Sequence, residues 1–193
     1  RTIPSAETLR QRMDDIGSSL RKEILDANVE MFNSYNIKPT PLETDLVPVD
    51  LDVTPMDNSK TRKEGVSYTY KGFVGYAPMM AYIGTEGFLV NTELREGSQH
   101  CQCNTPEFLR QTLKYSHKLT DKQLLIRMDS GNDATENLGI LIEDGSWFIV
   151  KRNLRRGESK QDWLDKVKEC CKDIRQPRDG KTVYVGSSWK DVD

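Results

Sequence analysis

Two aspartates stand at the ends of apolar segments that the sequence predicts to be strands. Asp52 follows the alternating segment that begins at Leu46, and Asp129 follows the apolar segment that ends at Met128. A carboxylate in such a place is costly to bury unless a cation or a hydrogen-bond donor meets it. If the two strands are neighbours, the two like charges lie close together and favour a divalent cation. Oxygen ligands suit Mg²⁺, with Mn²⁺ as a substitute.

Either aspartate alone is more often a turn former or a helix cap, so the prediction depends on the pair. Strand alternation places Asp50 on the same face as Asp52, which makes Asp50 a possible participant. A second kind of metal site, for zinc, is not expected, because the candidate ligands are not spaced as C-x2-C pairs. Those candidates are His100, Cys101, Cys103, Cys170 and Cys171. Neither cysteine pair has ordinary disulfide spacing, which fits a reducing cytoplasm.

Two basic clusters, residues 60–63 and 151–156, could contact phosphate groups. Clusters of charged residues are usually found on surfaces that face only solvent. The net charge of -2 does not by itself indicate a nucleic-acid-binding protein. The balance fits an enzyme domain in which local basic patches meet DNA while carboxylates hold metal. There is no stretch of eighteen apolar residues, so no membrane partner is expected.

The predicted secondary structure that must position these residues changes along the chain from helices to strands. Two helices come first, one capped by Ser5 and one running from about Ser18 to Tyr35, and prolines at positions 39 and 41 end this part. Alternating strands, then strands separated by helices, follow. The expected strands are 46–53, 66–70, 79–83, 88–94, 123–128, 147–150 and 182–185, and the later helices begin near residues 105, 134 and 160, the last of them extending to Asp173.

Strands joined by turns should pair antiparallel, and strands joined through helices should pair parallel. The result is an α/β fold with a mixed sheet flanked by helices, preceded by an N-terminal helical segment. This element order is that of the ribonuclease H-like fold.

Four short motifs occur in order along the central part of the chain. They are Asp52-Val53-Thr54, the stretch 71–78 that ends in Gly75-Tyr76-Ala77-Pro78, the L-R-x-G-x-x-H stretch 94–100, and Arg127-Met128-Asp129-Ser130-Gly131. In content and order they resemble insertion-sequence transposases of the DDE superfamily, in the branch whose last acid lies in a Y-R-E-K signature. The resemblance covers residues 46–152.

The resemblance implies a DNA transposase that cleaves and transfers strands at transposon ends, with Asp52 and Asp129 as catalytic metal ligands. It implies double-stranded DNA with terminal inverted repeats as partner, self-association in the DNA complex, and a bacterial cytoplasmic location at the nucleoid. The residues that would contact DNA are Lys63, Lys71, Arg95, Arg127, Lys151, Arg152, Arg155 and Arg156.

The chain departs from the family pattern at several points. Some relatives have proline where Glu96 stands and an aromatic residue where Asn132 stands. Members of this family have three acidic residues at the metal site, and the third is the glutamate of the Y-R-E-K signature. That glutamate has no counterpart in this sequence, since no Y-x2-R-x3-E pattern occurs. We therefore expect a fragment, inactive alone, with a helical segment at 1–40, a catalytic core lacking its last helix at 41–180, and the start of a β-rich insertion at 181–193.

Two alternatives stay open at this point. The pattern Asp50-x-Asp52-x-Thr54 is also the opening motif of the haloacid dehalogenase superfamily, in which the first aspartate is a nucleophile on phosphate and Mg²⁺ assists. That fold continues with repeated strand–helix units, whereas three strands follow the motif here. The other alternative is a non-catalytic DNA-binding fragment.

Overall fold

The computed structural model describes residues 3–17 and 19–188. Its helices are α1 Ala6–Ile16, α2 Arg21–Ser34, α3 Thr105–His117, α4 Thr135–Asp144 and α5 Lys160–Glu169, with one 3₁₀ turn at Ser130–Asn132. Its strands are β1 Val47–Val53, β2 Met56–Asp57, β3 Ser67–Tyr68, β4 Val74–Tyr76, β5 Met79–Ile83, β6 Phe88–Glu93, β7 Leu124–Met128, β8 Trp147–Val150, β9 Cys171–Arg178 and β10 Lys181–Gly186.

The central sheet has five strands in the order β6-β5-β1-β7-β8. β1 pairs antiparallel with β5, and β5 pairs antiparallel with β6. β7 pairs parallel with β1, and β8 pairs parallel with β7. The antiparallel strands β1, β5 and β6 are joined without helices, and the parallel strands β1, β7 and β8 are joined through helices. This is the ribonuclease H-like arrangement that the sequence predicted, and the fold class is confirmed.

One face of this sheet forms the core. Val49 lies opposite Ile83 on one side and Ile126 on the other, and all three are fully buried. Helix α3 packs against β6 and α4, and α4 packs against β8. Because strand residues alternate between faces, burial of Val49 and Leu51 turns Asp50 and Asp52 to the opposite face.

The two N-terminal helices differ in how they contribute to the core. Ser5 caps α1 as predicted, accepting a hydrogen bond of 3.1 Å from the Thr8 N–H. α1 buries none of its residues, whereas α2 buries Leu25, Val29 and Phe32 against the sheet. The second helix begins at Arg21 rather than near residue 18, and residue 18 itself lies outside the described residues.

A three-stranded sheet in the order β2-β4-β3 stands beside the end of β1. Two glycines allow close backbone approach there. A Cβ on Gly75 would lie 1.9 Å from the Met56 carbonyl oxygen, and a Cβ on Gly97 would lie 2.6 Å from the Gly75 carbonyl oxygen. Only glycine fits such contacts, which explains the glycines of two of the sequence motifs.

Contacts divide the chain into two compact units, Arg1–Lys151 and Arg152–Asp193. The expected boundaries at residues 40 and 180 stay a prediction, and within the first unit α2 packs into the core. In the second unit, α5 ends at Glu169 and β9 and β10 form an antiparallel hairpin. The prediction of a helix to Asp173 was wrong, since Cys171 already begins β9.

The start of a β-rich insertion at 181–193 stays a prediction, and its residues 189–193 lie outside the described part of the chain. No helix in the described ranges is long and apolar enough to cross a membrane.

Candidate active site

The two aspartates predicted from the sequence come together at the carboxyl ends of β1 and β7. These strands are parallel neighbours, and Leu51 lies opposite Met128. Asp52 and Asp129 are the next residues along the two strands, so they lie side by side where β1 and β7 end. In sheets with parallel strands, ligand sites form beyond this edge.

The side chain of Asp129 is held by the turn that follows it. Its Oδ1 accepts hydrogen bonds from the Gly131 N–H at 3.0 Å and from Asn132 Nδ2 at 2.9 Å. Asp52 Oδ1 accepts one bond of 2.9 Å from the Val53 N–H. The Oδ2 atom of each aspartate accepts no hydrogen bond from the described residues, so each carboxylate keeps an oxygen for a ligand.

A partly buried set of polar side chains fixes the turn at 130–132. Cys101 Sγ donates to the Gly131 carbonyl oxygen at 3.0 Å, and Gln102 Nε2 donates to the same oxygen. Asn137, fully buried on α4, donates to the Asn132 carbonyl oxygen at 2.9 Å and lies 3.2 Å from Gln102 Oε1. The start of α4 and the segment before α3 are thereby tied to the turn that orients Asp129.

Asp50 is engaged differently from Asp52. Its two oxygens each accept a 2.5 Å hydrogen bond from Arg127, whose Nε and Nη2 form a bidentate pair across β1 and β7. The Asp50 carboxylate raises the pKa of Arg127, chiefly through this hydrogen bonding. The haloacid dehalogenase alternative required Asp50 to act as a nucleophile, but both oxygens of Asp50 are bound to Arg127. It also required strand–helix repeats after β1, whereas the antiparallel strands β5 and β6 follow β1.

An open cavity of about 550 Å³ lies in front of the two carboxylates. Tyr68 and Tyr70 form part of its wall, and His100 and Cys101 another part. Partial burial raises the pKa of Asp52, the hydrogen bond from Val53 lowers it, and the negative charge of Asp129 raises it further. A cation between the carboxylates would relieve this repulsion.

The donor set fits a hard divalent cation in part. Two carboxylates with one uncommitted oxygen each are suitable for Mg²⁺ or Mn²⁺, which retain water in the remaining positions. Within residues 3–17 and 19–188, no group of three or more His, Cys, Asp or Glu side chains is arranged to hold a metal ion. The four cysteines are free thiols.

The profile of one protein family, described as transposase DDE domain group 1, matches residues 5–192. The chain belongs to this family. DDE domains of transposases generally use divalent metal ions. A comparison with curated proteins found no match.

Among solved structures, this DDE domain is similar to a chain described as piggyBac transposase in a synaptic complex with hairpin DNA, studied by cryo-EM. The sequences are 14% identical, the TM-score is 0.43, and the similarity covers 75% of this domain and 33% of the other chain. The domain thus spans about a third of the length of that protein.

Arg95 of the DDE domain is placed against the expectation of a DNA contact. It is only 2% exposed, pairs with Glu93 at 3.0 Å, and donates to the Cys101 carbonyl oxygen at 3.1 Å. Its guanidinium also lies 5.8 Å from the Phe108 ring centroid. A guanidinium used in this way anchors the segment before α3, and its contact with DNA stays a prediction.

The other expected DNA-contacting residues differ in their surroundings. Lys71 is exposed, and its positive charge is one of the influences that lower the pKa of Asp52, so it belongs to the candidate site. Arg127 is bound to Asp50. In the second unit, Arg152 pairs with Glu158 at 3.0 Å. Exposed positions are also found at Lys63, Lys151, Arg155 and Arg156.

Sequence reasoning missed several residues of the site. In the sequence, Asn132 stands out only as a departure from the family pattern, yet in the structure it orients Asp129. Gln102 and Asn137 carry no motif and become relevant only through the fold. Tyr68 and Tyr70 did carry a signal: two aromatic residues alternate in an otherwise polar stretch just before Lys71.

Proposed function

We propose that the intact protein is a DNA transposase that cleaves and joins strands at the ends of an insertion sequence. Its substrate is double-stranded DNA with terminal inverted repeats, and its reaction is phosphoryl transfer in two steps. Water first attacks a phosphodiester at the transposon end and releases a 3′-hydroxyl. That hydroxyl then attacks a second phosphodiester, so that a new P–O bond forms and the 3′-oxygen of the attacked strand leaves. The observation that carries the proposal is the adjacent placement of Asp52 and Asp129 at the ends of parallel strands in a DDE domain.

Each residue of the site has a role in this proposal. Asp52 and Asp129 hold the divalent ions with their uncommitted oxygens. Asn132 and the Gly131 N–H keep Asp129 in one orientation, and Lys71 offsets negative charge beside Asp52. When bound, Mg²⁺ or Mn²⁺ lowers the pKa of an attacking oxygen and stabilises a leaving one.

DNA is held by basic side chains, one of them beside Asp52 and the others elsewhere in the chain. Lys63, Lys71, Lys151, Arg155 and Arg156 are exposed and suited to contact phosphates. We also propose that copies of the protein associate on the two transposon ends and that the protein acts on the bacterial nucleoid. A further carboxylate from outside the described residues would complete the metal site.

The experiment is cleavage of a labelled inverted-repeat duplex in Mn²⁺ by the full-length protein, beside a gel shift with the same proteins. Asp52→Asn and Asp129→Asn each remove one charged ligand while nearly preserving shape. We expect each to reduce cleavage by at least about a thousandfold, the equivalent of roughly 4 kcal/mol of metal stabilisation. DNA binding should survive, because the basic residues are unchanged.

Asp50→Asn is the matched control, since Asp50 stands two residues from Asp52 on the same strand and is bound to Arg127. It should retain most of the cleavage activity. Normal cleavage by Asp52→Asn, or loss of cleavage only in Asp50→Asn, would show that the metal ligand on β1 has been assigned to the wrong residue.

A further inference from the structure

Tyr68 and Tyr70 are large aromatic side chains that the fold leaves in solvent. Tyr68 is 66% exposed and Tyr70 is 69% exposed, while Thr69 between them is 2% exposed. The alternation places both rings on the same side of the chain, away from the protein interior.

The segment that carries these rings is well anchored. Thr69 bonds twice to Phe73, its N–H and its Oγ1 both donating to the Phe73 carbonyl oxygen at 2.8 and 2.9 Å. The Gly72 N–H donates to the Thr69 carbonyl oxygen at 3.0 Å and closes a turn in which Gly72 itself has a positive φ. At the other end of the segment, the Ser98 N–H donates a hydrogen bond of 2.8 Å to Ser67 Oγ. The rings are therefore presented by an ordered scaffold.

Both rings line the cavity that contains Asp52 and Asp129. Burial raises the pKa of Tyr70, and the charges of Asp52 and then Asp129 raise it further, which reflects how close this hydroxyl lies to the carboxylates. The Lys71 ammonium lies 5.3 Å from the centroid of the Tyr70 ring. Aromatic surface and a positive charge thus stand together at the edge of the candidate metal site.

We propose that Tyr68 and Tyr70 form a platform on which an unpaired nucleobase stacks, next to the phosphodiester held at Asp52 and Asp129. This rests on the proposed function. A base inside a duplex has both faces covered by its neighbours, whereas an unpaired base can offer a face to an aromatic ring. Lys71 supplies the charge that a neighbouring phosphate requires. Stacking accepts any base, so the platform recognises unpaired strand rather than sequence.

The test is DNA binding by the 193-residue chain in EDTA, followed by fluorescence anisotropy. The probes are a labelled oligothymidylate of about 16 nucleotides, the upper site size of one single-strand-binding module, and a blunt duplex with as many phosphates. The variants are the double change Tyr68→Ala with Tyr70→Ala and the matching double change to Phe. Tyr35→Ala is the control, because Tyr35 is 76% exposed and does not line the cavity.

We expect the double alanine variant to lose about five- to 150-fold in affinity for the single strand, the range that corresponds to one stacked base. Its affinity for the duplex should stay within about twofold, a change too small to represent the removal of a stacked base. The double phenylalanine variant and Tyr35→Ala should bind both probes like the unsubstituted chain, because the Phe ring can stack as the Tyr ring does.

A second readout locates the contact. An oligonucleotide containing 5-iodouracil should cross-link on irradiation to the tryptic peptide 64–71, and the cross-link should disappear in the double alanine variant. Three results would overturn the proposal: unchanged single-strand binding by that variant, equal losses on single strand and duplex, or no single-strand binding by the unsubstituted chain. Because no metal is present, these outcomes are independent of whether Asp52 and Asp129 support cleavage.

Discussion

At the scale of single residues, the orientation of Asp129 depends on a hydrogen bond that a small change can remove. Asn132→Ala deletes the 2.9 Å bond to Asp129 Oδ1 and leaves only the backbone bond from Gly131. Groups that orient a metal ligand typically contribute about 10- to 100-fold to metal affinity. We expect Asn132→Ala to weaken Mn²⁺ binding by about tenfold, measured by paramagnetic resonance of free Mn²⁺ during titration.

Asn33→Ala is the comparison for that change, since Asn33 is an exposed asparagine on α2 that bonds to the Lys118 carbonyl oxygen. It should leave Mn²⁺ affinity unchanged. Thermal unfolding of both variants separates orientation from simple loss of stability. Equal Mn²⁺ affinity in Asn132→Ala and the unsubstituted chain would mean that the Gly131 N–H alone is sufficient to orient Asp129.

The sequence could predict Asp52 and Asp129 because each follows an apolar strand, and strand ends are where polar ligands collect. It could not predict the pairing of Asp50 with Arg127, which depends on the register that sets these residues opposite each other. Nor could it predict that Arg95 is buried, because a motif arginine that supports a turn and one that binds phosphate have the same sequence pattern.

At the scale of elements, two glycines should respond in opposite ways to the same substitution. A Cβ at Gly97 would lie 2.3 Å from the Ser67 carbonyl oxygen, so Gly97→Ala must push the loop away from β3 and β4. A Cβ at Gly139, within α4, would meet no atom within 4 Å, and the φ of this residue is not positive. We expect Gly97→Ala to lower the free energy of unfolding by about 1–3 kcal/mol and Gly139→Ala to raise it by about 0.5–1 kcal/mol.

Urea denaturation of the two variants and the unsubstituted chain measures both effects. The helical glycine serves as the control for adding one methyl group to the chain. A neutral or stabilising Gly97→Ala would be inconsistent with the close packing of the loop 96–100 on the small sheet.

Most elements of the central sheet were predictable, because their apolar alternation reflects one buried face. The antiparallel and parallel halves followed from the connections, turns in one case and helices in the other. β9 was not predictable in this way. Its residues from Lys172 to Arg178 are exposed, so no apolar alternation marks the strand, and the helical period before it does not show where the helix stops. What makes β9 a strand is its pairing with β10.

At the scale of the whole molecule, the chain is expected to bind metal without cleaving DNA. Its described residues bring two carboxylates to one place, and an octahedral ion would keep most of its ligands as water. We expect weak Mn²⁺ binding that Asp52→Asn or Asp129→Asn abolishes, and no cleavage of an inverted-repeat duplex by the 193-residue chain. Robust cleavage would mean that a further ligand lies within the chain, with Asp133 and Glu136 as the first residues to substitute.

The division between Lys151 and Arg152 allows a separate prediction about where metal and DNA affinity reside. Every buried residue of the hydrophobic core lies between Leu25 and Leu141, and Asp52 and Asp129 lie in the same unit. A chain that ends after Lys151 should therefore unfold in one cooperative transition and bind Mn²⁺ as the 193-residue chain does, as followed by circular dichroism and by titration.

The same truncation should weaken duplex binding, because it removes the proposed phosphate contacts Arg155 and Arg156. For every phosphate that the protein no longer neutralises, the plot of log affinity against log salt concentration becomes shallower by about one unit of slope. The double change Arg155→Ala with Arg156→Ala in the longer chain is the matched comparison, and it should reproduce a slope reduction of up to about two units while leaving Mn²⁺ affinity unchanged. If truncation changes Mn²⁺ affinity but not the salt slope, the second unit supports the metal site rather than the DNA. If truncation and the double change agree, the carboxylates and these arginines contribute independently, one group to metal and the other to the phosphate backbone.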